Sequence, residues 1–295
     1  MADTNQPRVM LWAVYRSCST VTMRALSTIE GGKYFYEPYT AAAYFGPERV
    51  FPRVNSVLDK ATSDLPGSDL AYDNQVNTFS WVKQTLEEEH EGARLVFVKD
   101  HAYSLKIAGK GWDEIPNGYR HTFLIRNPNK TIPSWRKLNL EFKPSSGTMD
   151  EEKMEAWQDL QMGSLAGGFQ SLIELYEYVR ENLDPDPFVM DADDLLADPE
   201  AMIPAYCQAT GIPFRKKMVE WGEDNGEPAQ ARWVICRPNL ASFQLHYKQK
   251  AITAACFSKE VESEIKSTPS PKVAALIQRC MPFYEKLYQQ RHVLE

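Results

Sequence analysis

The sequence predicts an α/β fold, three layers deep, with a mainly parallel central sheet and helices on both faces. Three observations lead there. Short apolar runs with β-branched content recur at Val9–Val14, Leu95–Val98, Thr122–Ile125 and Phe188–Met190, without the alternation of a strand that wets one face, so they read as strands buried on both sides. Stretches of helical period separate them, the pattern of βαβ units. Several of the runs break at a charged residue into a hydroxyl- or Asn-bearing loop from which a helix starts, and on such sheets ligands sit at the carboxyl ends of the strands.

Taken in order, Val9–Val14 leads through a short polar loop to a helix over Ser19–Ile29, ended by Gly31-Gly32. The aromatic stretch Tyr34–Phe51 follows, then an amphipathic helix over Asp73–Glu89 with Val76, Phe79, Val82 and Leu86 on one face. Leu95–Val98 opens into Lys99-Asp100-His101, and Thr122–Ile125 into Arg126. Asn127-Pro128 combines a helix N-cap with proline at the first helical position. Met149–Asn182 holds one long helix or two, with Gly163 and Gly167-Gly168 as possible breaks, and Asp198-Pro199 opens a helix that ends at Gly211. Glu223–Pro228 is too short for a domain linker, so residues 1–295 read as a single domain. Within its last part, about 215–295, Phe243–Tyr247 and the apolar helix Val273–Tyr288 form either a cap or lid or a dimer face.

Composition narrows the partners. A net charge of −7 and no basic run argue against nucleic acid or an anionic membrane as a ligand. The five cysteines are scattered and form no C-x-x-C pair, which suits reduced thiols and offers no metal-ligand spacing. The N-terminal apolar run, Val9–Tyr15, is too short for a signal peptide or a membrane span. The sequon at Asn129 falls inside a loop that a glycan would block. A cytoplasmic location is expected.

Two loops look suited to phosphate. Tyr15-Arg16-Ser17-Cys18-Ser19-Thr20 offers a guanidinium, hydroxyls and backbone donors at a helix start. It is not a G-x-x-x-x-G-K-[ST] loop, which removes most support for a nucleoside triphosphatase. The second loop sets Arg126 directly after a strand and Ser134 eight residues on. Read singly, the first is also an ordinary serine-rich cap and the second a salt-bridging arginine with a chance serine. Two such junctions in one acidic chain suggest a ligand with phosphates at both ends.

These residues resemble the sulfotransferases that use 3′-phosphoadenosine 5′-phosphosulfate (PAPS), a family with a P-loop NTPase-like fold. Tyr15–Thr20 is similar to their first signature, and Arg126-Asn127-Pro128 with Ser134 to their second. Asp191–Phe214 resembles a structural segment of the family, and Lys99-Asp100-His101 a K-T-H triplet. The likeness runs over about Arg8–Phe214; the family's late basic contact to the 3′-phosphate has no counterpart that the sequence identifies. It implies that Arg16, Ser17, Cys18, Ser19 and Thr20 hold the 5′-phosphosulfate, and that Arg126 and Ser134 hold the 3′-phosphate. His101 is then the general base toward a small-molecule hydroxyl, Lys99 steadies the sulfonate, Arg16 stabilises the leaving group, the product is 3′-phosphoadenosine 5′-phosphate (PAP) and no metal is needed. Asp100 either tunes His101 or faces solvent. Tyr15 and Cys18 stand where the family has proline and glycine, so Cys18 is expected at negative φ. The aromatics of Tyr34–Phe51 either wall the acceptor or serve the core. A non-catalytic PAP-binding descendant and a kinase-like nucleotide enzyme are the alternatives, and a homodimer of this chain is a further expectation.

Overall fold

The computed structural model describes residues 6–50, 77–141, 151–222, 232–235, 254, 256–257 and 269–294. Six strands form one sheet: β1 (Arg8–Ala13), β2 (Gly32–Tyr36), β3 (Leu95–Asp100), β4 (Arg120–Ile125), β5 (Val189–Asp191) and β6 (Trp233–Val234), in the order β5-β4-β1-β3-β2-β6. Every pairing is parallel. The helices are α1 (Ser19–Leu26), α2 (Pro38–Phe45), α3 (Phe79–Glu87), α4 (Tyr103–Ile107), α5 (Pro128–Glu141), α6 (Glu151–Asn182), α7 (Ala192–Ala197), α8 (Pro199–Thr210) and α9 (Pro271–Tyr288).

The pleat of β1 sorts its side chains into two cores. Met10 and Trp12 pack with Phe79 and Val82 of α3, Leu165 and Phe169 of α6 and Leu276 of α9. Val9, Leu11 and Ala13 pack on the opposite face with Met23 and Leu26 of α1 and Met202 and Ile203 of α8. A strand sandwiched this way has no polar face, which is why its sequence does not alternate. The connection from β1 leads toward β2 on one side, whereas that from β4 leads toward β5 on the other. Between β1 and β4 the strand order therefore reverses, and the crevice where an open α/β sheet takes its ligand lies there.

Four strands and most helices lie where their sequence pattern puts them. Asn127 caps α5, its Oδ1 accepting the Asn129 amide at 2.9 Å, and Asp198 caps α8 through the Ala201 amide at 2.9 Å. Two strands go beyond the pattern. β2 lies between Gly31-Gly32 and Pro38, so its aromatic run carries no strand-like signal, and β6 is two residues long. Tyr34, Phe35 and Tyr36 of that run are buried, so these three serve the core; Phe51, Val76 and residues 223–228 and 243–247 lie outside the described residues. α1 ends at Leu26, three residues early, and α3 begins at Phe79, where the Thr78 hydroxyl takes the Trp81 amide at 3.0 Å. α6 runs unbroken through its glycines. At Gly167 a Cβ would enter the ring of Tyr103, so that glycine allows close packing and does not break the helix. α9 turns Val273, Leu276, Ile277, Cys280, Tyr284 and Leu287 into the core.

One core group makes the fold sensitive to acid. His121 is buried in β4, and its Nδ1 accepts the indole N–H of Trp12 at 3.1 Å. Burial lowers its pKa to about 4, so between pH 4 and the free-imidazole value near 6.5 the unfolded chain binds the extra proton. The stability that His121 gives over a His121→Phe variant should therefore be complete above pH 7 and shrink by about 3 kcal/mol at pH 4. Urea unfolding of both proteins at the two pH values measures this, and comparing them cancels the other titrating groups. An equal difference at both pH values would contradict it.

Candidate functional site

The loop after β1 reverses sharply. Arg16 and Cys18 both adopt left-handed backbone conformations, with φ of 63° and 68°, and Cys18 is the residue before α1. The expectation of a negative φ at Cys18 is overturned. The turn into α1 requires the conformation that glycine takes freely, and a side chain there costs about 1 kcal/mol. A left-handed residue ahead of a right-handed helix turns successive amides toward one concavity, the geometry of backbone anion sites. Ser17 is buried with its hydroxyl on the Val14 carbonyl at 2.7 Å, while Ser19 and Thr20 open α1. The first bond of that helix is from the Thr22 amide to the Cys18 carbonyl, at 3.0 Å, so the amides ahead of it lie outside the helical ladder.

The two loops meet. Arg16 Nε donates to Ser134 Oγ at 3.2 Å, and Arg126 Nη1 donates to the Arg16 carbonyl at 3.0 Å. Arg126 is buried at the end of β4, next to β1, and Ser134 lies two turns into α5.

The third strand end is tied to the same segment. His101 Nδ1 faces the Ala13 carbonyl at 2.7 Å, and the Tyr15 ring lies 4.2 Å from the imidazole, centroid to centroid. On the other side of the ring, Nε2 lies 3.0 Å from Lys99 Nζ and 3.2 Å from Glu37 Oε1. The same Glu37 oxygen pairs with Lys99. All three side chains are buried, and the Lys99 ammonium also sits over the Tyr36 ring at 5.3 Å. The carbonyl takes the proton on Nδ1, which leaves Nε2 as the acceptor nitrogen, facing the buried Lys99–Glu37 ion pair.

Asp100 makes this arrangement possible. It is fully buried and accepts the amides of Tyr39 at 2.6 Å, Thr40 at 3.2 Å and His101 at 2.7 Å, with the Thr40 hydroxyl at 2.6 Å. It thus caps α2 from a neighbouring strand, and Glu37, at the cap position itself, makes no cap bond with its side chain. Glu37 is in turn held in a left-handed conformation, φ 52°, with its amide on the Lys99 carbonyl at 2.8 Å. Burial raises the Asp100 carboxyl to about pH 7 despite these donors.

The two loops and the triplet therefore grow from the ends of three adjacent strands, β4, β1 and β3, with Ser19, Thr20 and Ser134 on the helices that follow. Lys99 and Asp100 belong to β3 itself, which is why neither faces solvent. Glu37 escapes sequence reasoning. Its one signal is an acid immediately before proline inside an aromatic run, and aromatic content draws attention to packing instead. Among the described residues no cluster of His, Cys, Asp and Glu is placed to hold a metal ion, and no helix is long and apolar enough to cross a membrane.

No family model matches the sequence. Among curated proteins, "Branched-chain-amino-acid aminotransferase-like protein 2" of Arabidopsis thaliana is 29% identical over 224 residues, 75% of this chain and 33% of that protein. Its companion "protein 1" from the same plant is 29% identical over 108 residues, 37% of this chain and 16% of that protein. The chain thus spans a third or less of the curated relatives it matches. Among solved structures, the sulfotransferase domain of the Synechococcus PCC 7002 olefin synthase is similar at TM-score 0.48 and 14% identity, over 99% of this chain and 98% of that one. The sulfotransferase domain of the curacin biosynthetic pathway is similar at TM-score 0.45 and 13% identity, over 94% and 98%. Retinol dehydratase, in complex with retinol and PAP, is similar at 0.42 and 11%, over 98% and 84%.

Proposed function

We propose that this chain transfers the sulfonate group of PAPS to the hydroxyl of a small-molecule acceptor. The observation that carries the reading is the segment from Ala13 to Arg16. It is bonded on one side to His101 and on the other to Arg126 and Ser134. One short loop thus joins a pair of cationic anion grips to a buried base and its carboxylate.

On this reading the β1–α1 loop, with Arg16, Ser17, Cys18, Ser19 and Thr20, receives the 5′-phosphosulfate, and Arg126 and Ser134 receive the 3′-phosphate. The acceptor oxygen attacks sulfur in line, the new O–S bond forms as the S–O bond to the phosphate breaks, and PAP leaves. Charge that builds on the bridging oxygen is met by Arg16 and the loop amides. The acceptor's proton passes to His101, and Glu37 stabilises the imidazolium that results. Lys99, already shared between Glu37 and His101, places a fixed positive charge beside the sulfonate.

The test is thermal unfolding with PAP beside ATP, since a ligand of the folded state alone raises its apparent stability. PAP is expected to raise Tm and ATP to leave it nearly unchanged. Stabilisation by ATP alone would defeat the reading. A non-catalytic PAP binder is the second reading, favoured by the 3% exposure of His101, and an acceptor screen with labelled PAPS separates the two.

A further inference from the structure

The proposed transfer leaves one aromatic side chain beside the base without a role. Tyr15 comes two residues after Ala13, whose carbonyl meets His101 Nδ1 at 2.7 Å. Its ring lies on the imidazole, 4.2 Å between centroids and tilted by 36°. One edge of the ring rests on α6, where a Cβ added at Gly168 would lie 3.8 Å away, in ordinary contact. Its hydroxyl is hydrogen-bonded to that of Tyr44 in α2. Burial, ahead of the influence of Tyr44, raises the Tyr15 pKa well above its ordinary value. The phenol therefore stays protonated and does not compete with His101 for a proton.

These contacts close a circuit around the imidazole. The β1–α1 segment holds it in the ring plane through the Ala13 carbonyl and on the ring face through Tyr15. Tyr44 ties Tyr15 to α2, and Glu37, the residue ahead of α2, returns to His101 Nε2 at 3.2 Å. The torsion that turns an imidazole about its bond to Cβ has a broad, roughly two-fold well, so contacts at the nitrogens alone restrain it weakly. Half a turn would take Nδ1 off the carbonyl and carry Nε2 away from Lys99 and Glu37. A ring packed on the imidazole face, itself fixed at Gly168 and Tyr44, stands in the path of that turn. Proline, which the sulfotransferase resemblance puts at this position, has neither an aromatic face nor a hydroxyl for these contacts.

We infer that Tyr15 is a positioning residue for the transfer: its ring fixes the rotation of the His101 imidazole and keeps Nε2 turned toward Lys99 and Glu37. The hydroxyl steadies the ring and takes no part in the chemistry. This rests on the transfer reading above and adds to it a residue that acts through His101.

The experiment compares Tyr15→Leu, which removes the aromatic ring, with Tyr15→Phe, which keeps it. In protein carrying nitrogen-15 histidine, magnetic resonance reads the imidazole directly, and His101→Gln identifies its signal. Wild type and Tyr15→Phe are expected to show His101 as a single Nδ1–H tautomer, and Tyr15→Leu as a mixture of two. Activity is measured as transfer from labelled PAPS to 2-naphthol, or to whichever alcohol of the acceptor screen wild type uses fastest. The kcat of Tyr15→Leu should fall about 10- to 100-fold, as misplacement of a catalytic group does, with KM for PAPS and calorimetric PAP affinity within about threefold of wild type. Tyr15→Phe, which loses one hydrogen bond, should keep kcat within about threefold. If Tyr15→Leu keeps the wild-type tautomer and kcat, or loses PAP in step with kcat, the positioning role is overturned while the transfer reading stands. If Tyr15→Phe falls as far as Tyr15→Leu, the hydroxyl takes part in the chemistry and the role is overturned as well. If wild type binds PAP but moves sulfonate to no alcohol of the screen, the transfer reading fails and a positioning role in it fails too.

Discussion

His101→Ala should lower sulfonate transfer about 10²- to 10⁴-fold, the range a positioned general base contributes, while PAP affinity changes less than about threefold. The two effects separate because the imidazole meets this segment at the Ala13 carbonyl and the Tyr15 ring, whereas Arg16 bonds Ser134. Glu37→Gln should fall by a similar order. Its neutral amide still fills the space but no longer stabilises the imidazolium or balances Lys99. The double variant should be little worse than either single one, since groups that act as a unit are strongly non-additive. Steady-state transfer with a saturating donor, together with PAP titration, checks all three proteins. Near-normal transfer by His101→Ala with intact PAP binding would remove His101 from the role of base.

Asp100→Ala should cost about 3–5 kcal/mol of stability. The alanine leaves the buried amides of Tyr39, Thr40 and His101 without their acceptor, at about 1–3 kcal/mol for each group that finds no replacement. In a chain of this size that lowers Tm by roughly 5–8 °C. The loss should also depend on pH. Because burial raises the native carboxyl to about 7, the folded protein holds its proton more tightly than the unfolded chain. The contribution of Asp100 is then complete below about pH 4 and fades as pH rises through 7. Unfolding curves should show a larger cost at pH 5 than at pH 8; an equal cost at both would mean that the carboxyl is ionised throughout.

How much of this the sequence discloses depends on whether a feature is local. The strands β1, β3, β4 and β5 are visible because burial on both faces demands an unbroken apolar run. The caps at Asn127 and Asp198 are visible because a side chain that bonds an amide two or three residues on leaves a short-range trace. The site is legible only in part. Arg16, Arg126 and His101 stand just past strand ends, where a chain that must leave the sheet announces itself, and Ser134 follows Arg126 at a fixed offset on the next helix. Glu37 reaches His101 across 64 residues, and no local pattern marks the pairing. Cys18 is misjudged for another reason. A residue type suggests its comfortable backbone angle, but the turn between β1 and α1 dictates the angle, and the side chain tolerates it at modest cost.

The bonds that lace Arg16 to Ser134 and Arg126 have a metrical consequence. β1 and β4 are neighbours, so the ends from which the two grips grow stand about 4.8 Å apart, a separation fixed by the backbone ladder and not by loop flexibility. With the loops bonded to each other, the jaws cannot drift independently. On the proposed reading the molecule would work as a calliper, set to one span by its own sheet, and would select among anions by the distance between their charges as well as by their number.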